Sequence, residues 1–333
     1  MRNFTDDVLQ ASVSDIRKPM KASTFSWSVL RHDLFQRCPR AYFLHYYLAQ
    51  GGWDKFANEF ARSAYYEKYM STLDQWMSET FQNSVNSALR KALIRPQIKQ
   101  RRKEFSLQLL SALSKAVSNL QISLKNEEYL DDPKKPSILE YLVEPKILPD
   151  LNDLISETVK TLSNAYGFIL KTDILQEILE LDFMDLHLDD QFLYFNYHNF
   201  PVWFRPGIVY VQKDTISMLN FYVYRQFSGE LEQNKSWDLK SALFAQYCRE
   251  RWGNYNVSNT ALIFTNNTVA VNSAPNPIAD LDSLIDGSSK KMLDLIEADG
   301  TVILENFKCS SEPEHCSVCQ FRSTCKKILE VYH

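Results

Sequence analysis

Cys316-Ser317-Val318-Cys319-Gln320-Phe321-Arg322-Ser323-Thr324-Cys325 sets three thiols close together at the spacing C-x2-C-x5-C. Such a run lets one tight loop wrap three sulfur ligands around an inorganic centre, and a tetrahedral sulfur site needs a fourth. The chain holds 6 cysteines. Cys38, far upstream, is the leading candidate for the fourth ligand. Cys309 is nearer in sequence and reads as a bystander. Cys248 lies in an apolar helical pattern, where a free cysteine is usually a small buried hydrophobe. Zinc and an iron–sulfur cluster both suit such ligands. Spacing alone leaves them open, beside the plain alternative of unligated thiols.

Working outward, the composition is that of an ordinary globular chain: 333 residues, 45% hydrophobic and 23% charged, enough to bury a large core. Only 8 glycines argue against repeat-rich β architectures and for much helix. A formal net charge of −4 does not advertise a nucleic-acid binder globally, although a local basic face is compatible with it. No run of 18 apolar residues implies a membrane span. Met1–Gln10 is polar and lacks a signal-peptide core, so the expected location is cytoplasmic. In that reducing compartment six cysteines read as thiols or metal ligands rather than disulfides.

The patterning predicts an irregular lead-in over 1–25 and a mainly helical region over 26–185 that contains Cys38. A mixed α/β region over 186–300 and a short loop-like cysteine tail over 301–333 follow. Within the helical region, Phe25–Tyr47 reads as a turn and helix, Phe60–Ala92 as one long amphipathic helix, and Leu107, Leu110, Leu113 and Val117 as a further helical stripe. Asn126–Ser137 is a loop, and Ile147–Leu181 is helix again. Phe192–Tyr197, Val202–Phe204, Ile208–Gln212, Ile216–Tyr224 and Asn259–Phe264 are short, aromatic and β-branched, as strands are. Trp237–Trp252 and Asp280–Ile296 are helical.

Ser26-Trp27-Ser28-Val29-Leu30, followed by Phe35-Gln36-Arg37-Cys38-Pro39-Arg40-Ala41-Tyr42-Phe43, resembles the opening of RecB-like PD-(D/E)XK nucleases. In the iron–sulfur branch of that superfamily, which includes AddB-like proteins and CRISPR-adaptation nucleases, one cysteine sits in this early motif. Three more follow the nuclease core at the tail spacing seen here. The resemblance implies an α/β fold: a PD-(D/E)XK restriction-endonuclease-like core with a large helical insert and a C-terminal iron–sulfur clasp. It further implies a [4Fe–4S] cluster on Cys38, Cys316, Cys319 and Cys325, with zinc as the alternative. It covers most of residues 24–327 and is weakest across about 90–180.

Its catalytic places are degenerate. In Trp76-Met77-Ser78-Glu79-Thr80-Phe81-Gln82 the place of a metal-binding histidine holds Gln82. Arg205-Pro206-Gly207-Ile208-Val209-Tyr210 resembles the Pro-Asp strand with Gly207 at the aspartate place. Leu219-Asn220-Phe221-Tyr222 resembles the Asp-x-Lys strand with Asn220 and Tyr222 at the acid and lysine places. Lys240-Ser241-Ala242-Leu243-Phe244 matches a helix that normally carries Gln-x-x-x-Tyr. Phosphodiester hydrolysis in the family needs carboxylates that hold a divalent cation beside the scissile phosphate, and a lysine that stabilises developing charge. Gly207 has no side chain, Asn220 is a weak ligand for a hard cation, and Tyr222 is no ammonium.

The resemblance therefore implies a catalytically inactive subunit that binds DNA or scaffolds a partner nuclease or helicase in a repair or defence complex. The alternative is an active metal-dependent nuclease with relocated groups, Lys240 and the acids Asp182, Asp185, Asp189 and Asp190. A redox-sensing cluster is a third, weaker option. For nucleic acid, Arg90, Lys91, Arg95, Lys99, Arg101, Arg102 and Lys103 form a basic stretch without an acid, suited to phosphates or to a solvated helix face. Tyr42, Phe43, Tyr46 and Tyr47 are either base-stacking groups or core. The six histidines form no recognisable metal pair, His315 beside Cys316 being a weak alternative ligand. No phosphate-binding glycine loop is present, so no nucleotide is expected.

Overall fold

The computed structural model describes residues 20–22, 24–142, 150–181, 186–187, 192–225, 235–253, 256–266, 268–273 and 280–332. Nearly all of the lead-in and all four acids of the alternative reading, Asp182, Asp185, Asp189 and Asp190, lie outside the described residues. No described helix is long and apolar enough to cross a membrane.

In chain order, β1 (Met20–Lys21) and β2 (Trp27–Ser28) precede α1 (Val29–Arg37) and α2 (Pro39–Phe43), which runs on into a π-helical turn, Leu44–Leu48. The helices α3 (Glu59–Glu67), α4 (Leu73–Leu93), α5 (Ile98–Lys125), α6 (Leu139–Leu142), α7 (Leu151–Ile169) and α8 (Asp173–Glu180) follow. Then come β3 (Leu186–His187), β4 (Leu193–Tyr197), β5 (Phe200–Phe204), β6 (Ile208–Gln212), β7 (Thr215–Val223), α9 (Lys235–Trp252), β8 (Asn256–Phe264) and β9 (Val269–Ser273). The chain closes with α10 (Leu281–Leu293), β10 (Thr301–Val302), α11 (Pro313–Ser317) and α12 (Arg322–Tyr332).

The single helix expected over Phe60–Ala92 is two. Thr72 Oγ1 accepts from the Gln75 backbone N–H at 3.2 Å while Gln75 Oε1 accepts from the Thr72 N–H at 3.1 Å. This capping box satisfies donors that a new helix leaves open, so α4 starts afresh at Leu73. The run ending at Leu181 is likewise split into α7 and α8. The tail is not loop-like throughout: Phe321, Thr324 and Ile328 recur at helical spacing and are fully buried, which folds α12 onto the protein. β9 was not anticipated; it is a five-residue strand flanked by unremarkable polar sequence.

The molecule is mixed α/β. Its main sheet has the order β3-β6-β7-β8-β9. β6 and β7 are an antiparallel hairpin turning at Lys213, which adopts a left-handed φ of 56°. β7 and β8 are parallel, from Thr215 opposite Asn256 to Val223 opposite Phe264, with α9 as the crossover that a parallel pair requires. Because strand side chains alternate, each face receives its own core. Ile208, Tyr210, Leu219, Phe221 and Phe264 bury against α4, α5, α7 and α8. Val209, Ile216, Met218 and Ala261 meet Trp237 and Leu243 of α9, together with Trp27 and Val202 of the smaller sheet β2-β5-β4. Trp27 Nε1 donates to Ser288 Oγ at 2.7 Å, fixing the start of the chain to α10.

Candidate functional site

The two cysteine-bearing ends share a third core. Phe35, Tyr42, Phe43 and Leu44 from the opening pack with Phe307, Phe321 and Ile328 from the tail. Arg40 adds two bonds across the junction, its Nε donating to Phe307 O at 2.6 Å and its backbone N–H to Lys308 O at 3.1 Å. Tyr42 and Phe43 are fully buried and Tyr47 nearly so, which resolves these aromatics as core rather than base-stacking surface. Pro39 at the first turn of α2 explains the local geometry: it starts a helix directly after Cys38, leaving that residue extended at the cap with its thiol facing the tail.

Cys38, Cys316, Cys319 and Cys325 line one cavity of about 190 Å³. Cys309 lines it too, so the residue read from sequence as a bystander belongs to the sulfur group. Its Sγ lies 3.7 Å from Cys325 Sγ. The Ser310 N–H points at Cys38 Sγ, 3.4 Å away. The remaining walls are apolar, among them Leu44, Phe321 and Leu329, with Arg322 and Lys326 supplying positive charge. Sequence spacing missed Cys309 because it lies outside the compact C-x2-C-x5-C run; only the fold of residues 307–310 against Arg40 brings it in.

The thiols influence one another. Burial raises the Cys319 thiol to about 11, and the neighbouring Cys38 and Cys316 sulfurs push the same way. The hydrogen bond between Cys309 and Cys325 lowers Cys309 and raises Cys325. His315 is committed elsewhere: its Nδ1 is 3.0 Å from Ser310 Oγ and its Nε2 is 3.0 Å from Glu312. Cys248 is 1% exposed on the sheet side of α9, and burial raises it to about 12; it is core.

Among the described residues no three His, Cys, Asp or Glu side chains are gathered for a single metal ion. Five thiols share a mostly apolar cavity with two cations at its rim, a sulfur-only donor set of the kind that zinc and an iron–sulfur core both take.

The degenerate places also come together. Gly207 and Asn220 touch: a Cβ on Gly207 would lie 2.8 Å from Asn220 Oδ1 and would overlap the Leu219 carbonyl oxygen. Asn220 is buried, and its Nδ2 has no partner among the described residues. Burial pushes the Tyr222 phenol upward. Gln82 has a structural task. β6 pairs with β7 only as far as Leu219, so the backbone of 221–225 on that side needs other partners. Gln82 Oε1 accepts from Phe221 N–H at 3.0 Å, Ser78 Oγ from Val223 N–H at 2.9 Å, and Asp74 Oδ1 from Arg225 N–H at 3.2 Å. Four helical residues rise about 6.0 Å and two strand residues about 6.7 Å, so side chains at 74, 78 and 82 match donors at 225, 223 and 221. The Arg225 guanidinium extends the clamp to Asp74 and Glu140, each at 3.1 Å.

Lys240, on α9, is lowered mainly by burial, with Arg205 acting in the same direction and Glu79 and Asp33 opposing. The structure thus adds two carboxylates, Glu79 and Asp33, to the neighbourhood of Lys240 that sequence reasoning did not select. Arg205 is anchored by donating to Asn83 Oδ1 at 2.9 Å.

The basic stretch splits around the turn between α4 and α5, and much of it is used internally. Arg101 donates to the carbonyls of Leu179 and Leu181 at 3.0 and 2.8 Å, capping the end of α8. Arg95 pairs with Glu104 at 3.0 Å, Arg102 with Glu180 at 3.8 Å, and Lys91 bonds Gln108 at 2.7 Å. Arg90 is also engaged. Lys99 and Lys103 are exposed. The stretch read as suited to phosphates or to a solvated helix face is in large part a self-paired helical hairpin.

Comparison with known proteins adds little. No family model matches the chain, and no curated protein matches it. The crystal structure of SSO0001 is similar at 12% identity and a TM-score of 0.30, covering 63% of this chain and 82% of that one; at that level the likeness carries no argument.

Proposed function

We propose that this chain is a catalytically inactive PD-(D/E)XK nuclease-like subunit with a structural [4Fe–4S] cluster, serving as a DNA-binding or scaffold component of a DNA-processing, repair or defence complex. The observation that carries the reading is Gly207. At the place where the resemblance puts the metal-binding aspartate, the β7 backbone approaches so closely that no side chain fits. Around it, Gln82 is spent on the strand edge, and Asn220 and Tyr222 are neutral. The hairpin β6–β7, crossover α9 and parallel β8 support a nuclease-like core, with α4 packed across them. Cys38, Cys316, Cys319 and Cys325 would hold the cluster, with Cys309 beside them. When bound, it would supply cross-links between the chain ends, so that its binding energy becomes folding energy.

The test has two parts. Anaerobically purified protein should contain roughly four irons and matching sulfide per chain; one zinc and no iron would remove the cluster from the proposal. With Mg²⁺ or Mn²⁺, labelled single-stranded and duplex DNA should be bound and left uncut. A second reading, an active nuclease with relocated groups, is favoured by one observation: the carboxylates Glu79 and Asp33 act electrostatically on the buried Lys240. Metal-dependent cleavage lost on Lys240→Ala would establish it and overturn the first.

A further inference from the structure

The self-pairing of the basic hairpin leaves a DNA-binding subunit in need of another surface. A groove of about 450 Å³ lies between α1, the 68–72 turn that follows α3, the start of α4, the 133–137 segment and the tail. Arg37, Lys68, Lys134 and Lys135 line it against one acid, Glu79. Arg37, Lys68 and Lys134 have no carboxylate partner among the described residues; Lys135 pairs with Glu128 at 3.2 Å. In a chain of net charge −4, this concentration of cations is local and directional.

An aromatic strip leads out of the groove. Tyr69 is on its wall, and Tyr65 is one turn earlier on the same face, the rings 5.4 Å apart. Lys68 Nζ sits 5.5 Å from the Tyr65 ring and 5.2 Å from the Tyr69 ring. The loop before α3 packs against the same helix through Gly52 and carries two further exposed aromatics. Gly52 packs so closely on this face that a Cβ there would be 2.6 Å from Tyr65 Cβ and would overlap the Ala61 carbonyl. The next residue, Trp53, is 72% exposed, and Phe56 is 83% exposed. The loop has a fixed shape: Gly51 takes φ 79° and Asp54 Oδ1 accepts from the Phe56 N–H at 2.9 Å. Lys55 Nζ stands 4.8 Å from the Phe56 ring centroid.

We propose that this strip and groove bind single-stranded nucleic acid, with Trp53, Phe56, Tyr65 and Tyr69 stacking on bases and Lys68, Lys134 and Arg37 meeting phosphates. The inference rests on the DNA-binding reading above and gives it a site. Aromatics interleaved with cations match a polymer in which each π face alternates with an anion. Duplex DNA keeps its bases stacked within the helix and offers no face to these rings. An apolar protein partner would meet three unpaired cations in the groove and would have to desolvate them.

Anisotropy of a labelled oligothymidine of about 16 nucleotides, the upper site size of one binding module, reads the site directly. Trp53→Ala with Phe56→Ala should weaken binding about tenfold or more while leaving the salt dependence unchanged. Lys68→Gln with Lys134→Gln should weaken it and reduce the slope of log K against log salt by about 1.4, near 0.7 for each phosphate lost. Lys99→Ala with Lys103→Ala should change neither. Crosslinking of an iododeoxyuridine oligonucleotide to the unaltered protein needs no variant: adducts on Trp53, Phe56, Tyr65 or Tyr69 support the site, and adducts confined elsewhere overturn it. If the protein binds DNA but the strip and groove variants bind equally well, or if only duplex is bound, this inference fails and the DNA-binding reading stands. If neither single-stranded nor duplex DNA is bound, both fail.

Discussion

Placing an aspartate at Gly207 should damage the fold. The Leu219 carbonyl that blocks a Cβ there belongs to the middle strand, paired with Ile208 on one side and Thr260 on the other. It cannot retreat without disturbing two ladders. Forcing extra atoms into such a space costs about 1–3 kcal/mol. The carboxylate adds a charge facing two acceptors, the Leu219 carbonyl and Asn220 Oδ1. Even after neutralising, a poorly paired buried polar group costs about 1–3 kcal/mol. The unpartnered Asn220 Nδ2 can turn to donate, returning about 1 kcal/mol. The net loss is about 3 kcal/mol, or about 1 M in the urea midpoint for a slope near 3 kcal/mol per M. Equilibrium unfolding followed by tryptophan fluorescence is suited to this, because Trp27 and Trp237 are buried. Gly207→Ala isolates the steric part and should lose about two thirds as much. A wild-type midpoint for both variants would refute the close-approach argument. Manganese-dependent cleavage by Gly207→Asp would refute it more directly, since it requires the aspartate to be accommodated and to work.

Other outcomes follow from the same contacts. Cys309 Sγ stands 3.7 Å from Cys325 Sγ, so Cys325→Ala should retain part of the iron after anaerobic reconstitution, Cys309→Ala nearly all, and the double variant none; complete loss in Cys325→Ala alone would show that Cys309 cannot substitute. Glu67 is buried on α3, accepts from Thr324 N–H at 3.1 Å, and is raised by that burial from 4.5 to about 7. The folded state therefore binds its proton more tightly than the unfolded state. Stability from this group is full below about pH 4.5, falls by roughly 3 kcal/mol as pH rises to about 7, and is flat above. Glu67→Gln should flatten that part of the profile, and an unchanged slope would contradict the assignment. Gln82→Ala leaves the Phe221 N–H without its acceptor and should cost about 1–2 kcal/mol, with Ser78→Ala adding a similar amount at Val223; thermal unfolding with no shift for the double variant would refute the side-chain ladder.

Several features were legible in the sequence because they are local. The β6–β7 hairpin follows from alternating β-branched residues around a polar turn, and α9 from its apolar spacing, so both fall where patterning predicts them. The C-x2-C-x5-C run is compact, and Gln82, Gly207, Asn220 and Tyr222 are residue identities, readable wherever the chain goes. Tertiary structure decided the relations between distant residues. Whether Gly207 is merely a missing aspartate or a required glycine depends on how close β7 comes, a distance no spacing encodes. Gln82 became a strand-edge partner because two different rises per residue fall into step between helix and sheet. Cys309 joined the sulfur group, and the basic residues 90–103 were drawn into capping and ion pairs, because hydrogen bonds and burial act through space. For the same reason the loop that carries the exposed aromatics at 53 and 56 meets the Tyr65 helix only through Gly52, a contact that no spacing encodes.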